Sequence, residues 1–283
     1  MGLAVEQYTE AALFLDKALG LLEQREAENN LILGIALSMK DKQAPEGTLF
    51  LSAFKKSAPV FCAVQTPPQN IIISAGENFP EEAIPAVCGF LGDAGISLPG
   101  VIGPVRMAEK FAACWSGENG MKYSPGMRLR GHRLDKVAPV KFPEGMFRLA
   151  GEMDAARIGQ WLFDFTCEAT TDEITYEEAM GTAAYQIHGG KSFVWEVNGT
   201  PVSLAVASRS TRNGACVSAV YTPRALRGKG YATACVAKLS VHLLTAGNKF
   251  CVLFTDLANP VSNHIYYKIG YRPAEDVNVY LFR

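Results

Sequence analysis

The sequence predicts an α/β protein whose mixed sheets are built in two similar halves. Short β-branched stretches alternate with segments of helical periodicity along the chain. A glycine-rich turn joins a strand to a helix at residues 227–232. From the hairpin signal Asn198-Gly199 onward, the order of elements repeats the order of the first half. These three observations favour a duplicated α/β fold (α+β with mixed sheets).

The first half begins with a helical pattern and continues with strands that alternate with helices. Residues 55–57 form a short polar connection between two apolar stretches, which is typical of a hairpin. In order, we predict a helical region at 9–42, strands at 48–54, 60–64 and 70–74, a helix at 79–95, a strand at 98–102, a helix at 105–115 and a strand at 127–134. The proline-bearing segment 137–143 then predicts a linker, which gives domains 1–138 and 139–283.

The second half shows the same kinds of pattern, with a stronger turn signal. Asn198-Gly199 between two apolar stretches favours a two-residue hairpin. In order, we predict a strand at 146–149, helices at 154–168 and 173–188, strands at 193–197 and 201–207, a strand at 217–222, a helix at 233–246, a strand at 250–254, a helix starting near 259 and a strand at 277–282.

Charge and composition exclude several classes of function. The net charge of −1 argues against a polyanion-binding face, so no nucleic-acid partner is expected. No apolar run reaches membrane-spanning length, and Glu6 and Glu10 stand where a signal peptide would carry cations. We therefore expect a cytoplasmic protein without a membrane partner.

The cysteines favour reduced thiols over disulfides or zinc. There are seven, an odd number, scattered without a Cys-x-x-Cys pair. Four of them lie in apolar segments and are expected in the core: Cys167, Cys216, Cys235 and Cys251. No metal site is expected.

The turn at 227–232 has the chemistry of a phosphate-binding loop. Backbone N–H groups of a glycine-rich turn can point at one spot, and the following helix N-terminus adds positive potential there. Cations stand nearby at Arg224, Arg227 and Lys229. The spacing is neither that of a Walker A loop nor that of a dinucleotide fingerprint, since Gly228 and Gly230 lack a third glycine. An exposed turn with solvated cations remains the alternative.

A second motif follows downstream. Pro260 suits a first helical turn and Gly270 suits a helix C-terminus, so an ordinary capped helix is one reading. Together, Arg227-x-x-Gly230-x-Ala232 and the segment Asn259, Tyr266, Gly270-Tyr271 resemble the GNAT superfamily of N-acetyltransferases. The resemblance covers about the last half of the chain, and the first half is expected to be a diverged copy of the same fold.

This resemblance implies acetyl-CoA as co-substrate and assigns roles to individual residues. Asn259 would hydrogen-bond the cofactor arm, and Tyr266 would be the general acid that protonates the departing thiolate. Phenol and thiol have ordinary pKa values of about 10 and about 8.5, close enough for this transfer. Tyr267 is the alternative acid. The main chain of Val220, Tyr221 and Thr222 would bind pantetheine, and the pyrophosphate would lie on Arg227, Gly228, Lys229, Gly230, Tyr231 and Ala232.

The resemblance also implies a bulge in the strand before the loop and a parting from its neighbour. The opening would admit the ligand, and a backbone N–H there would polarise the thioester carbonyl. The general base stays open, because residues 214–222 contain no carboxylate and no histidine. The candidates are Glu177, Glu178, Glu196, Asp256, His188, His264 or a chain of water molecules.

Two functions remain open at this point. The first is an N-acetyltransferase that moves an acetyl group directly to a primary amine of a small molecule or peptide, acting as a monomer or homodimer. The second is a non-catalytic acyl-CoA-binding sensor or regulatory module. We expect one cofactor site, because residues 74–80 of the first half hold one glycine and the acidic Glu77 in place of the loop.

Overall fold

The computed structural model describes residues 2–76, 79–170 and 173–283, and the chain forms two compact units. The N-terminal unit comprises Met1–Gly131 and Ala274–Arg283, and the C-terminal unit comprises His132–Pro273. The expected division after residue 138 differs from this in two respects. The chain passes from the first unit to the second after Gly131, seven residues earlier than expected, and its last ten residues return to the first unit.

Each half of the sequence has the same order of elements, namely a strand, two helices, three strands, a helix, a strand, a helix and a strand. In the N-terminal half these are β1 (Ala4–Tyr8), α1 (Ala11–Leu22), α2 (Asn30–Ser38), β2 (Leu49–Lys55), β3 (Ala58–Gln65), β4 (Ile71–Ala75), α3 (Ala83–Asp93), β5 (Gly100–Pro104), α4 (Val105–Asn119) and β6 (Tyr123–Leu134). In the C-terminal half they are β7 (Met146–Leu149), α5 (Ala155–Ala169), α6 (Tyr176–His188), β8 (Ser192–Val197), β9 (Thr200–Ser210), β10 (Gly214–Tyr221), α7 (Tyr231–Thr245), β11 (Phe250–Asp256), α8 (Pro260–Ile269) and β12 (Arg272–Phe282). The predicted duplication of the fold is confirmed.

Two details of the N-terminal half differ from the sequence-based prediction. Strand β1 was not predicted, and it pairs antiparallel with β2 from Ala4 to Tyr8. The single helical region expected at 9–42 is two helices. Asn29 separates them, because its buried amide nitrogen donates to the carbonyl of Leu22 at 2.9 Å. A side chain that competes for a backbone carbonyl in this way disfavours a continuous helix.

The N-terminal sheet carries helices on both faces. Along β2, Leu49 and Leu51 pack in the cluster with α3 and α4, whereas Phe50 packs in the cluster with α1 and α2. Successive side chains of a strand point to opposite faces. Burial on both faces explains why residues 49–54 of β2 are buried without interruption.

The last strand completes the N-terminal sheet. Strand β12 pairs antiparallel with β5, with Val277 opposite Pro104 and Leu281 opposite Gly100. Val277, Val279 and Phe282 of β12 are buried, and Phe282 belongs to the same core cluster as Trp115. From the sequence the strand was assigned to the second half. Pairing satisfies the backbone groups of β5, which would otherwise be an open edge.

The C-terminal sheet has the order β7-β8-β9-β10-β11, and its pairs are antiparallel except for β10 and β11. The predicted hairpin at Asn198-Gly199 is confirmed, since Val197 pairs with Thr200 and both turn residues have positive φ. Helix α7 packs in the core cluster on one face, and α5 and α6 pack in the cluster on the other.

Two simpler properties concern the described chain. Within residues 2–76, 79–170 and 173–283, no helix combines the length and apolarity needed to cross a bilayer. All seven cysteines lie in this part of the chain, and each is a free thiol. Cys216, Cys235 and Cys251 are buried as expected, whereas Cys167 is exposed on α5.

Candidate active site

Strands β10 and β11 run parallel and then part. Their ladder joins residues 214–216 of β10 to residues 250–252 of β11, and β10 continues to Tyr221. The register of β10 against β9 shifts between Ser218 and Tyr221, and Ala219 within that shift has φ +45°. A bulge re-aims the backbone and locally ends regular pairing. The strand bulge that the family resemblance implied is therefore present.

The end of β10 is fixed by a buried hydroxyl pair. The Oγ of Ser203 lies 2.8 Å from Oγ1 of Thr222 and donates to the carbonyl of Tyr221 at 3.2 Å. Both Tyr221 and Thr222 are buried. Two of the three residues expected to present main-chain groups to the pantetheine arm, Tyr221 and Thr222, are thus held in place from the β9 side.

The glycine-rich loop adopts a backbone that only glycine enters easily. Gly228 and Gly230 have φ values of +80° and +82°, in the left-handed region that other residues avoid. Gly230 is the N-cap of α7, so the first N–H groups of that helix open toward the loop. This arrangement is a ready site for an anion.

The arginines of the loop are tied to the protein. Arg227 donates from Nε to the carbonyl of Thr222 at 2.9 Å and from Nη2 to Oε2 of Glu168 at 2.8 Å. Arg224 and the hydroxyl of Tyr221 both donate to the other oxygen of Glu168 at 3.2 Å. Arg227 chiefly holds the pKa of the Glu168 carboxyl below its usual value, so it is an anion at neutral pH.

Glu168 was not selected from the sequence. It lies near the end of α5, far from the loop in sequence. The sequence showed only that its charge is opposite to the charges of Arg224 and Arg227. Burial, followed by Glu168, raises the pKa of Tyr221 to about 12, so that hydroxyl remains a donor. Since both arginines are engaged with Glu168, the backbone N–H groups and the exposed Lys229 are the groups of the loop that can receive an anion.

The two neighbouring tyrosines of α8 point in different directions. Tyr266 is 8% exposed, whereas Tyr267 is 59% exposed and carries the guanidinium of Arg272 at 4.1 Å from its ring centre. Tyr266 lies in the core cluster that contains Val217 of β10, and its ring is 6.0 Å from that of Tyr271. Burial raises the pKa of Tyr266, so its hydroxyl keeps its proton at neutral pH.

Asn259 has a structural task at the start of α8. Its Oδ1 accepts from the backbone N–H of Ser262 at 3.1 Å, and Pro260 occupies the first turn. The helix ends at Gly270, whose φ is +116°. The expected helix limits are confirmed. The amide nitrogen of Asn259 is the part of the side chain suited to donate to a ligand.

A buried histidine beside Tyr266 escaped the sequence-based selection. His132 is 4% exposed, and its ring lies 6.4 Å from that of Tyr266. It lies near the end of β6, which contains no recognised motif. Nothing in the sequence therefore connected His132 with α8. His188, His242 and His264, the other histidines of the described chain, are exposed.

The hydrogen bonds around His132 define its tautomer. Asn263 donates its amide nitrogen to the carbonyls of Asp256 at 2.9 Å and Asn259 at 2.8 Å, which fixes its Oδ1 as an acceptor. The hydroxyl of Thr255 donates to that Oδ1 at 2.7 Å. Nε2 of His132 contacts Oδ1 at 3.3 Å and the hydroxyl oxygen at 3.1 Å. Nε2 must therefore be the protonated nitrogen of the neutral ring.

The candidates for general base have other partners or lie at the surface. Glu196 pairs with Arg148, and Asp256 accepts from the N–H of Ala258 at 2.8 Å. Glu178 forms a capping box with Thr175 at the start of α6. The other three candidates are exposed, namely Glu177, His188 and His264. Among the described residues, no hydrogen bond or ion pair joins the side chains of these six to the loop or to Tyr266.

A sheet whose bulged strand parts from its parallel neighbour, followed by an anion-binding loop, is the arrangement of the GNAT fold. Residues 158–271 match the model described as the acetyltransferase (GNAT) family, so this part of the C-terminal half is similar to that family. No curated protein matches the sequence.

Solved structures share the fold over the whole chain. A GNAT-family acetyltransferase from Colwellia psychrerythraea is 10% identical, with 99% of each chain covered and a TM-score of 0.61. A GCN5-related N-acetyltransferase from Sphaerobacter thermophilus is 13% identical, with 98% of this chain and 94% of that chain covered and a TM-score of 0.65. A tandem GNAT protein from the clavulanic acid biosynthesis pathway is 11% identical, with 100% and 98% covered and a TM-score of 0.54. At these identities the likeness concerns the fold, and it extends over both halves.

Proposed function

We propose that the C-terminal unit is an acetyl-CoA-dependent N-acetyltransferase that moves the acetyl group directly to a primary amine. The observation that carries this proposal is the bulged end of β10, which parts from β11 and leads into the loop at the N-terminus of α7. A slot beside a strand edge suits an extended pantetheine arm, and the loop suits a pyrophosphate.

The binding roles follow the geometry of the backbone. Main-chain groups of Val220, Tyr221 and Thr222 would bind pantetheine, with the end of β10 fixed by Ser203. The pyrophosphate would lie on the backbone N–H groups of residues 227–232. Asn259 would contribute its amide nitrogen, because its oxygen already caps α8.

The reaction is a single displacement at the thioester carbonyl. The neutral amine forms a bond from nitrogen to carbon, and the carbonyl oxygen gains charge that a backbone N–H at the bulge stabilises. The carbon–sulfur bond then breaks, and the thiolate takes the proton of the Tyr266 hydroxyl. Burial raises the pKa of that hydroxyl, so it keeps its proton until this step, and the same shift makes it a weaker acid toward the thiolate than an ordinary phenol. Tyr266 then regains its proton from water. The proton of the attacking nitrogen passes to water, since the carboxylates considered above are engaged elsewhere or exposed.

We expect one cofactor per chain. The counterpart of the loop in the N-terminal half runs from Ser74, near the end of β4, to Pro80, and this sequence contains no cation. Glu77, whose charge would repel a pyrophosphate, lies outside the described residues.

Calorimetry and a coupled thiol assay test the proposal. We expect acetyl-CoA to bind the full chain with a stoichiometry of one, and coenzyme A to be released faster when a library of small and peptide amines is added. Binding without amine-dependent turnover would instead indicate a sensor module. Two equivalent sites would contradict the assignment of the loop, and absence of binding would overturn the proposal.

A further inference from the structure

Two cysteines and a glutamate converge where α3 and α4 pack together in the N-terminal unit. The sulfur atoms of Cys88 and Cys114 and one carboxylate oxygen of Glu118 all lie within 4.8 Å of one another. Cys114 and Glu118 are one turn apart on α4 and therefore share a face. Cys88 on α3 supplies the third atom from the opposite helix.

The spacing matches that of ligands around one cation. Zinc–sulfur bonds of about 2.3 Å and zinc–oxygen bonds of about 2.1 Å at tetrahedral angles place sulfur and oxygen about 3.5 Å apart. The sulfur of Cys114 lies 3.5 Å from Oε1 of Glu118. A cation could thus be accommodated with little movement of the helices.

Burial decreases across the cluster, which gives a cation a way in. Cys88 is fully buried, Cys114 is half-buried and Glu118 is exposed. A bound cation would displace two protons, as metals do from thiols generally. The exposed side of the cluster leaves room for a water ligand.

We propose that Cys88, Cys114 and Glu118 form a site for a thiophilic divalent cation, with zinc as the natural occupant and water as the fourth ligand. Two sulfurs and one carboxylate favour zinc or cadmium over magnesium and calcium, which prefer oxygen ligands. The site lies between two helices of the unit that lacks the cofactor loop. A cation there would cross-link α3 to α4, which is a structural role.

A disulfide between the two cysteines is the competing use of the same atoms. It would leave Glu118 without a role and would block cation binding. The two possibilities differ in the redox state they require, so reduced protein separates them.

Cadmium titration of the reduced, metal-free full chain tests the site. We expect one equivalent to produce thiolate-to-cadmium charge-transfer absorption, and zinc to displace it and raise the melting temperature. Cys114→Ser should weaken binding at least about 100-fold and Glu118→Gln about 10-fold. Cys167→Ser changes an exposed cysteine outside the cluster and should leave the titration unchanged.

Cys114 and Glu118 are the informative positions, since Cys88→Ser at a fully buried site could impair folding. Circular dichroism confirms that the variants are folded. The proposal fails if the cadmium band is absent, or if it persists in folded Cys114→Ser. It also fails if mass spectrometry finds a Cys88–Cys114 disulfide in preference to bound zinc when reductant is removed in the presence of zinc.

Discussion

The guanidinium of Arg227 binds the carboxylate of Glu168 with 2.8 Å between Nη2 and Oε2, and this ion pair joins the glycine-rich loop to the end of α5. The same carboxylate receives Arg224 and the hydroxyl of Tyr221. One acidic side chain thus organises the cations next to the proposed pyrophosphate site, and it also offsets their charge.

Glu168→Gln tests that balance. Glutamine keeps the shape and can still accept from Arg227, but the negative charge near the phosphates is removed. We expect coenzyme A to bind about 2- to 5-fold more tightly at low salt, with the difference lost at high salt because ions screen exposed charges. The stability loss should stay below about 1 kcal/mol, since these side chains are partly exposed. Glu173→Gln, an exposed change on the same half, is the control. A large loss of affinity would show instead that Glu168 holds Arg227 in a binding geometry.

Gly230→Glu tests the loop itself. The change adds bulk and negative charge at the N-cap of α7, where the phosphates must lie. We expect coenzyme A binding to disappear in calorimetry of the folded variant. Gly199→Glu is the matched control, because Gly199 has φ +75° in open space at a hairpin tip and incurs similar backbone strain. Unchanged affinity in Gly230→Glu would remove the basis of the cofactor assignment.

Tyr266→Phe tests the general acid. The ring and its packing remain, and only the buried hydroxyl is lost. We expect near-normal acetyl-CoA affinity and kcat lower by roughly 10²-fold or more, the usual scale for a positioned acid. Tyr267→Phe at the exposed neighbour should be nearly silent. The reverse pattern would move the role to Tyr267, and two silent variants would leave the cofactor site without a tyrosine acid.

The tautomer of His132 is open to direct measurement. Nitrogen-15 NMR of histidine-labelled protein should show the neutral ring protonated on Nε2, because Oδ1 of Asn263 only accepts. Asn263→Ala should let the ring populate both tautomers, and the exposed His264 is the internal reference. A ring protonated on Nδ1 in the parent protein would contradict the hydrogen-bond assignment at Asn263.

Phe282→Ala tests where the last strand belongs. Phe282 is 8% exposed, and its ring lies 6.4 Å from Trp115, so its loss should destabilise the N-terminal unit by about 3 kcal/mol. Hydrogen exchange should accelerate in α4 and β5 and remain slow in α7 and β11. The opposite distribution would place β12 with the C-terminal half. Phe142→Ala removes a phenylalanine that is 45% exposed and controls for loss of a ring at the surface.

The pairing of β12 with β5 affects how fragments of the chain should behave. A fragment beginning after the predicted linker would carry β12 without its partner β5. The N-terminal unit would then lose the strand that covers its edge. The full chain is accordingly the species in which the cofactor site should be measured.

Local patterns in the sequence determined most elements and the position of the loop. Glycines at 228 and 230 and the caps at Pro260 and Gly270 act within a few residues, so their consequences could be predicted from spacing alone. The hairpin at Asn198-Gly199 is of the same kind. The alternation of strands and helices sufficed for the fold class and for the repeat.

Only the tertiary structure decided which distant residues meet. Glu168 binds Arg227, His132 lies beside Tyr266, and Cys88 lies close to Cys114. The members of each pair are far apart in sequence, so no local pattern could have linked them. The sheet to which β12 belongs was also decided by the tertiary structure, because the residues of an apolar strand do not specify which sheet it pairs with. When the whole chain folds, strands pair with the sheet edges that are open and apolar side chains cover the apolar surfaces that remain. The choice among them is therefore a property of the complete fold.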